Sequence, residues 1–282
     1  MELYKTITSL QNALQGERLK GLKIGFVPTM GALHEGHLSL VQKAGDICDI
    51  VVVSIFVNPT QFNDTNDLAN YPRTLESDLK ILSGAKCDYI FYPSVEEVYP
   101  VPDTRKFNFG NIETVMEGAF RPGHFNGVAQ VVSRLLEIVH PDMAFFGQKD
   151  YQQIAVIKDL VRQMKIPVEI VSCRIVREKD GLAMSSRNKL LLPEYRNIAP
   201  LIYETLKEAK DLSKSKPVTE VKALVINKIN NSELLRVEYF EIVDDTTLIP
   251  VDDWVKTPKA VGCIAVYAGK VRLIDNIIFD FN

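Results

Sequence analysis

Apolar and polar positions alternate along the first half of the chain in a regular succession of strand-like and helix-like segments. Short apolar runs rich in β-branched residues predict strands at 23–27, 50–57, 89–92, 143–146 and 168–171. Between them, apolar residues at helical spacing predict helices at 38–44, 75–82, 128–139 and 154–164. This alternation is typical of a doubly wound, Rossmann-like parallel sheet with crossover helices.

The pattern changes after residue 176. Two polar-rich helical stretches at 193–212 and 219–230, joined by a loop at 213–217, precede strand-like runs at 237–243, 263–268 and 271–279. Consecutive helices followed by consecutive strands predict a smaller α+β domain with an antiparallel sheet. We therefore expect a Rossmann-like domain over residues 1–175 and a C-terminal α+β domain over residues 176–282, with the boundary near 176–181.

The composition is that of an ordinary globular protein, with 282 residues of which 46% are hydrophobic and 24% charged. A formal net charge of −3 gives no basic footprint for a nucleic-acid backbone, so DNA and RNA are not expected as partners. The four cysteines lie far apart without a C-x-x-C pair, which favours buried reduced thiols. Since the N-terminal residues lack an apolar signal core and no run approaches a membrane span, we expect a cytoplasmic protein without a membrane partner.

The most informative segment is 28–37, Pro-Thr-Met-Gly-Ala-Leu-His-Glu-Gly-His, which joins a predicted strand to a predicted helix. In open α/β sheets, ligands bind beyond the carboxyl ends of the strands, and the N-terminus of the following helix attracts anions. His34 and His37 are three residues apart and share a face if the helix has begun. Their ring N–H groups could bind phosphate oxygens and stabilise the charge that builds up during displacement at phosphorus.

Two other kinds of site do not fit the sequence. His34-Glu35-Gly36-His37 is one residue shorter than the zinc motif H-E-x-x-H, which misplaces the second ligand by about 100° on a helix. In Gly118-Ala-Phe-Arg-Pro-Gly123, His124 follows where a Walker A loop requires lysine, and no G-x-G-x-x-G sequence occurs. A nucleotide must therefore be held by other loops.

Two further loops carry groups suited to phosphate. Gly147-Gln148-Lys149-Asp150 follows an apolar run and precedes a predicted helix, so it repeats the strand-end geometry with a lysine. Met184-Ser185-Ser186-Arg187 offers two hydroxyls and a guanidinium, which can bind phosphate in a bidentate fashion. The turn residues Asp180-Gly181 just before it could let this loop close as a lid.

Five segments together resemble the pantothenate synthetase (pantoate–β-alanine ligase) family of the H-x-G-H nucleotidyltransferase superfamily. Besides segment 28–37 they are Phe-Val-Asn-Pro-Thr-Gln-Phe at 56–62, Tyr-Pro-Arg-Thr at 71–74, Gly-His-Phe-Asn-Gly-Val-Ala-Gln-Val-Val at 123–132 with Phe-Gly-Gln-Lys-Asp-Tyr-Gln-Gln at 146–153, and Arg-Glu-Lys-Asp-Gly-Leu-Ala-Met-Ser-Ser-Arg-Asn at 177–188. They occur in the family's order and cover residues 28–188. The remaining C-terminal third carries no motif that can be placed independently.

The resemblance implies an ATP-dependent, AMP-forming ligase that condenses (R)-pantoate with β-alanine to give pantothenate. Pantoate's carboxylate would attack the α-phosphorus of ATP to give pantoyl adenylate and pyrophosphate, and β-alanine's amine would then displace AMP. A homodimer is implied as well. Residues 1–175 would bind nucleotide and pantoate, and the C-terminal domain would act as a lid.

The resemblance also implies a set of site residues. His37, His34 and Lys149 are the expected catalytic residues, with His37 as the candidate proton donor. Gln61 and Gln153 would hold pantoate, since an amide both donates and accepts hydrogen bonds. The expected ATP-binding residues are Met30, Gly31, Ala32, Leu33, His34, Glu35, Gly36, His37, Gly147, Gln148, Lys149, Asp150, Val176, Met184, Ser185, Ser186 and Arg187.

Three more residues belong to the family pattern. Asp78 is the candidate ligand for Mg²⁺, a metal that prefers carboxylate and phosphate oxygens and usually keeps several waters. Glu117 and Arg121 resemble a family region that flanks the pocket, and their sequence context assigns neither of them a role.

Other functions remain open at this point. An adenylyltransferase acting on a phosphate-bearing acceptor would share the histidine motif but predicts a basic acceptor pocket, and the two glutamines argue against it. An aminoacyl-tRNA synthetase is disfavoured by the short chain and the lack of a basic extension. A nucleotide-binding module without catalysis would be expected to have lost some of the phosphate donors, yet all of them are in place.

Overall fold

The first of two sheets is parallel throughout and contains six strands. The computed structural model describes residues 1–62 and 65–281. The strands are β1 (Glu2–Tyr4), β2 (Ile24–Thr29), β3 (Ile50–Ile55), β4 (Tyr89–Phe91), β5 (Met143–Gly147) and β6 (Glu169–Cys173). Their order is β1-β4-β3-β2-β5-β6, so the strand order reverses direction at β2, between β3 and β5. The predicted Rossmann-like, doubly wound sheet is therefore confirmed.

Helices lie along the chain between these strands. They are α1 (Ile7–Leu19), α2 (Glu35–Ile47), α3 (Thr65–Asn70), α4 (Leu75–Ser83), α5 (Val95–Val98), α6 (Met116–Phe120), α7 (His124–Val139) and α8 (Tyr151–Met164). Short 3₁₀ turns at Pro59–Gln61, Gly110–Glu113 and Gln148–Asp150 complete the connections.

Both faces of the parallel sheet are buried, as an all-parallel sheet requires. In β2, Ile24 and Phe26 enter one apolar cluster together with Leu14 of α1 and Leu136 of α7. Val27, which points the other way, enters a second cluster with residues of α2 and α4. Burying a phenylalanine such as Phe26 stabilises the fold by about 1.5–3 kcal/mol. The apolar runs seen in the sequence are thus fixed from two sides.

The second sheet is antiparallel, in the order β7-β8-β9. Its strands are β7 (Leu235–Asp244), β8 (Lys259–Ala268) and β9 (Val271–Asp280). Before them come a 3₁₀ turn at Ser186–Leu190 and the helices α9 (Pro193–Ile198), α10 (Leu201–Leu212) and α11 (Val218–Asn230), and a further 3₁₀ turn lies at Trp254–Lys256. The predicted α+β arrangement of the C-terminal part is confirmed.

The chain forms two compact units that are not consecutive in sequence. The first consists of Met1–Glu113, Gly118–Gln148 and Gln153–Arg174, and the second of Thr114–Glu117, Lys149–Gln152 and Ile175–Asn282. Two short segments from the middle of the chain therefore pack with the C-terminal residues. The simple boundary at residue 176 stays a prediction.

Some elements differ from the sequence-based expectation. The sequence pattern predicted neither strand β1 nor helix α1. The helix predicted at 193–212 is divided into α9 and α10. Pro200 lies at the division, because proline has no amide hydrogen to continue the helical pattern. Among the described residues, no helix is long and apolar enough to cross a membrane.

Candidate active site

The parallel sheet opens at the carboxyl end of β2. This strand pairs with β3 as far as Thr29, but its pairing with β5 ends at Phe26. The carbonyl of Ile24 accepts the amide of Asp142, so the even-numbered residues of β2 face β5. Pro28 lies on that edge and has no amide hydrogen to continue the ladder. The two strands separate at the reversal of strand order, where open α/β sheets bind ligands.

A tight turn follows β2. The Thr29 hydroxyl donates to the carbonyl oxygen of Ser54 on β3 at 2.7 Å and accepts the amide of Gly31 at 3.2 Å. Gly31 and Ala32 both have positive φ, at 81° and 50°. Glycine takes this conformation readily, whereas alanine does so at a cost. The turn must therefore be held by other contacts.

Asp78, in the first turn of α4, provides those contacts. Its carboxylate accepts the amide of Ala32 at 3.0 Å and the amide of Leu33 at 2.8 Å. The hydroxyl of Thr74 donates to the same carboxylate at 3.3 Å. Asp78 is only 1% exposed. Its position fits the anchoring of the loop better than the binding of Mg²⁺, because both oxygens already accept hydrogen bonds, and the magnesium role stays a prediction.

His34 and His37 lie side by side at the start of α2, with ring centroids 4.1 Å apart. His34 is the N-cap residue, and its Nδ1 accepts the amide of Gly36 at 3.1 Å. The Nδ1 of His37 accepts the amide of His34 at 3.3 Å. Since each Nδ1 is an acceptor, the proton of each neutral ring lies on Nε2. The helix N-terminus therefore carries two imidazole donors where its dipole attracts anions.

Gln61 lies on the 3₁₀ turn after β3 and reaches the same loop. Its Nε2 contacts the Sδ of Met30 at 3.0 Å. The fully buried Asn58 donates from Nδ2 to Thr60 Oγ1 at 2.9 Å and to the carbonyl of Gly127 at 3.3 Å. The first unit thus brings together the histidine loop and Gln61, and their roles in binding ATP and pantoate stay predictions.

His124 and Arg121 support Gln61 from behind. The Nδ1 of His124 lies 2.9 Å from the carbonyl oxygen of Gln61, and its Nε2 lies 3.1 Å from Nη1 of Arg121. A carbonyl only accepts and a guanidinium only donates, so the His124 proton is on Nδ1. Arg121 therefore fixes the imidazole, and the imidazole fixes the backbone of Gln61. Sequence reasoning assigned no role to Arg121 and included His124 only as part of a motif.

Lys149 and Asp150 pack with the second unit. The Lys149 ammonium lies 3.5 Å from a carboxylate oxygen of Asp150, and the carbonyl of Lys149 accepts Nδ2 of Asn276 at 3.0 Å. Gly147 and Gln148, which precede them, belong to the first unit, as does the half-buried Gln153 of α8.

Residues 176–184 form a small hairpin in the second unit. The amide of Met184 donates to the carbonyl of Val176 at 3.0 Å, and Arg177 forms an isolated bridge with Ala183. The turn contains Gly181 at a φ of 95°. The turn predicted at Asp180-Gly181 is present, and its opening or closing as a lid stays a prediction.

The hairpin leads into the predicted phosphate loop. The hydroxyl of Ser185 caps the following 3₁₀ turn by accepting the amide of Arg187 at 3.3 Å. Asn188 donates from Nδ2 to Glu178 at 2.8 Å and to the carbonyl of Ala183 at 3.0 Å. Ser186 is buried and Arg187 half-buried. Hydrogen bonds of Ser185 and Asn188 therefore fix the backbone that carries the two serines and the arginine.

Glu117 forms an ion-pair network within the second unit. Arg272 of β9 binds its two carboxylate oxygens at 2.9 and 2.6 Å, and Tyr239 of β7 donates to it at 2.7 Å. Burial, followed by the negative charge of Glu117, raises the pKa of Tyr239 well above its ordinary value. Gln152 binds the backbone on either side, at the amide of Glu117 and the carbonyl of Val115. Glu117 therefore fastens residues 114–117 to the C-terminal sheet.

No group of three or more His, Cys, Asp or Glu residues that could hold a metal ion occurs in the parts of the chain that are described. A parallel sheet open at its switch point, with two imidazole donors on the following helix N-terminus, defines an α/β nucleotide-binding protein with an H-x-G-H phosphate loop.

The comparison with known proteins makes the assignment specific. The family model described as pantoate-beta-alanine ligase matches residues 2–278, and the chain belongs to this family of ligases. The pantothenate synthetase of Porphyromonas gingivalis strain W83 is 54% identical over 280 residues, which cover 99% of this chain and all of the relative.

Two solved structures agree over nearly the whole chain. The crystal structure of pantothenate synthetase from Thermus thermophilus is 43% identical, with a TM-score of 0.92, and the match covers 98% of this chain and 99% of that one. Pantoate-beta-alanine ligase from Francisella tularensis, complexed with beta-gamma ATP and beta-alanine, is 38% identical with a TM-score of 0.82, covering 98% and 97% of the two chains. The family resemblance read from the sequence is confirmed.

Proposed function

We propose that this chain condenses (R)-pantoate with β-alanine in a reaction driven by ATP. In the first half-reaction, a carboxylate oxygen of pantoate bonds to the α-phosphorus, the bond to the bridging oxygen breaks, and pyrophosphate leaves. In the second, the amine of β-alanine bonds to the acyl carbon, AMP leaves as the acyl C–O bond breaks, and the amine loses a proton. The observation that carries this proposal is the pair of Nε2–H donors at the N-terminus of α2, beside a glutamine suited to a hydroxy acid.

In this proposal, His34 and His37 donate to the phosphate oxygens on which negative charge grows as pyrophosphate leaves. Donors held in place before the reaction stabilise that charge without a further cost of reorganisation. Each histidine is oriented by an amide hydrogen bond to Nδ1, and Asp78 holds the turn that leads to them. His37 is the candidate proton donor.

Gln61 and Gln153 bind pantoate, because an amide can pair with both a hydroxyl and a carboxylate. Asn58, whose Nδ2 lies 3.4 Å from Oε1 of Gln61, and His124 keep Gln61 in place. In the second unit, we infer that Lys149, Ser185, Ser186 and Arg187 bind polyphosphate oxygens and that Asp150 binds the ribose. Val176 and Met184 flank this loop and contact the nucleotide.

The remaining expectations are also part of the proposal. Mg²⁺ binds with the nucleotide phosphates and neutralises part of their charge, and a magnesium titration of activity tests this. The protein acts in the cytoplasm as a homodimer, which cell fractionation and sedimentation equilibrium would test.

The deciding experiment measures the products with each substrate omitted in turn. ATP and pantoate alone should exchange labelled pyrophosphate into ATP, since the first half-reaction is reversible. AMP should be released in proportion to pantothenate only after β-alanine is added. If ATP binds but β-alanine does not release AMP, the ligase proposal is wrong and the chain is a nucleotide-binding module. Adenylylation of a phosphate-bearing compound instead of pantoate would support the adenylyltransferase alternative.

A further inference from the structure

Strand β9 contains two adjacent buried polar residues, Asp275 and Asn276. They are 5% and 3% exposed, in a strand that is otherwise rich in apolar residues. Successive side chains of a strand point to opposite faces, so these two side chains bind different partners. Buried polar groups cost free energy unless they are hydrogen-bonded, and both of these are. Their partners identify what they do.

Asp275 holds the start of the hairpin that leads to the predicted phosphate loop. Its carboxylate accepts Nη1 and Nη2 of Arg177 at 2.6 and 3.0 Å, a bidentate pair. The same guanidinium donates to the carbonyl of Gly181 at 3.2 Å and lies over the ring of Tyr203, 3.5 Å from its centroid. Burial raises the pKa of Asp275, and the pair with Arg177 opposes that shift. The hairpin is therefore fixed at its base and at its turn.

Asn276 holds the other predicted phosphate-binding segment. Its Nδ2 donates to the carbonyl of Lys149 at 3.0 Å. The backbone amide of Asn276 donates to the Asp275 carboxylate at 2.7 Å, which links the two residues. The Lys149 ammonium is a compact charge at the end of a side chain of limited length. The position of the Lys149 backbone therefore sets the region that the ammonium can reach.

The two segments are far apart in sequence and lie within the second unit. We propose that Asp275 and Asn276 are positioning residues that hold Lys149 and the Ser185–Arg187 loop in register with each other for the β- and γ-phosphates of ATP. This inference rests on the proposed function, in which those two segments bind polyphosphate. The pair acts through the segments that it holds and does not touch the substrate itself.

ATP and AMP differ only in the β- and γ-phosphates, so a comparison of their binding isolates the contacts to these two phosphates. If the register of Lys149 and the serine-arginine loop is disturbed, ATP should lose contacts to its β- and γ-phosphates, whereas AMP can lose only the contacts that both nucleotides share, through Asp150, Val176 and Met184. The Kd for ATP should therefore rise more than the Kd for AMP. General damage to the unit would change both dissociation constants by the same factor and leave their ratio unchanged. The ratio of the two dissociation constants is therefore a measurement that a merely structural role would not move.

The test uses calorimetric titration of the full chain with ATP and with AMP. Asn276→Leu keeps a similar volume and removes the donor, and Asp275→Asn removes the charge that pairs with Arg177. For each variant we expect the Kd for ATP to rise about tenfold, as for the loss of one good hydrogen bond from Lys149 or the serine-arginine loop to a phosphate oxygen, while the Kd for AMP changes by no more than about twofold. Asp275→Glu keeps the carboxylate and should recover part of the ATP affinity.

Leu273→Ala, in the same strand, is the matched control. Leu273 is a buried core residue, so this variant should unfold at lower urea concentration with the ratio of the two dissociation constants unchanged. Equal weakening of ATP and AMP in the Asn276 variant, or no change in either, would overturn the inference. If Asn276→Leu does not fold, Asn276→Ser decides by the same comparison. The wild-type product assay separates the two failures. Absence of β-alanine-dependent AMP release there refutes the proposed function, whereas an unchanged ratio of the ATP and AMP dissociation constants in the variants refutes only this inference.

Discussion

The anchoring of the histidine loop by Asp78 gives the sharpest single prediction. In Asp78→Asn, one amide of the pair at Ala32 and Leu33 keeps an oxygen acceptor, while the other meets an NH₂ group. A hydrogen bond to a charged group contributes about 1.5–3 kcal/mol, and an orphaned buried donor costs about 1–3 kcal/mol. Since the side chain is 1% exposed, water cannot replace the lost acceptor. We expect the free energy of unfolding to fall by about 2–4 kcal/mol.

The same change should reach the chemistry, because the turn held by Asp78 leads directly to His34 and His37. A displacement of about 1 Å at a reacting group can lower the rate about 100-fold. We therefore expect kcat to fall by about 10- to 100-fold in Asp78→Asn. Urea unfolding of the nucleotide-free protein and steady-state rates at saturating substrates measure the two effects separately.

Glu76→Gln is the matched control, since Glu76 lies in the same helical turn, is exposed, and loses the same charge. It should change neither quantity. If Asp78→Asn unfolds at the wild-type urea concentration, the side chain does not hold the loop. If its only defect is a higher magnesium requirement that excess Mg²⁺ corrects, Asp78 is a metal ligand and the anchoring argument is wrong.

Four further predictions follow from the surroundings of particular residues. In Gly127→Ala, the new Cβ would lie 2.2 Å from the carbonyl oxygen of Thr60, so we expect urea unfolding to show a loss of about 1–3 kcal/mol and a higher KM for pantoate. Gly16→Ala, on an open helix surface, should instead gain about 0.5–1 kcal/mol. His37→Ala should lower kcat by about 100- to 1000-fold with little change in the Kd for ATP, and an equal loss in both would assign it to ground-state binding. Burial raises the pKa of Cys87 to about 12, so its thiolate fraction at pH 8 is about one in ten thousand, and a disulfide reagent should modify this thiol only after unfolding.

The sequence predicts the fold well where periodicity is strong. The predicted bounds of strands β2 to β6 and β7 to β9 lie within a few residues of the observed ones, because each is an apolar run fixed by burial on one or both faces. Helix α1 buries only Leu10 and Leu14 fully, so its apolar pattern is sparse among polar residues. Strand β1 has three residues, and its strand conformation depends on pairing with β4, far along the chain. Such elements are set by tertiary contacts that no local window contains.

The residues of the candidate site also fall into those that the sequence predicts and those that it does not. The histidines, Gln61 and the serine-arginine loop stand in recognisable motifs, and their loops follow strands or precede helices as expected. The supporting residues do not stand in such motifs. Asp275 and Asn276 can be recognised only from their hydrogen bonds to Arg177 and Lys149, which the structure shows. A weak signal was available, since two adjacent polar residues inside an apolar strand are unusual and imply bonded partners.

The interrupted composition of the second unit bears on how this gene can be divided. Residues 114–117 and 149–152 are encoded inside the first unit but bind side chains near the C-terminus, including Glu117 to Arg272 and Lys149 to Asn276. A fragment that stops at residue 175 would leave both segments without these partners. Recombination or domain exchange at that point would therefore transfer residues 176–282 without residues 114–117 and 149–152, which belong to the same unit. The two units must be inherited, expressed and engineered together.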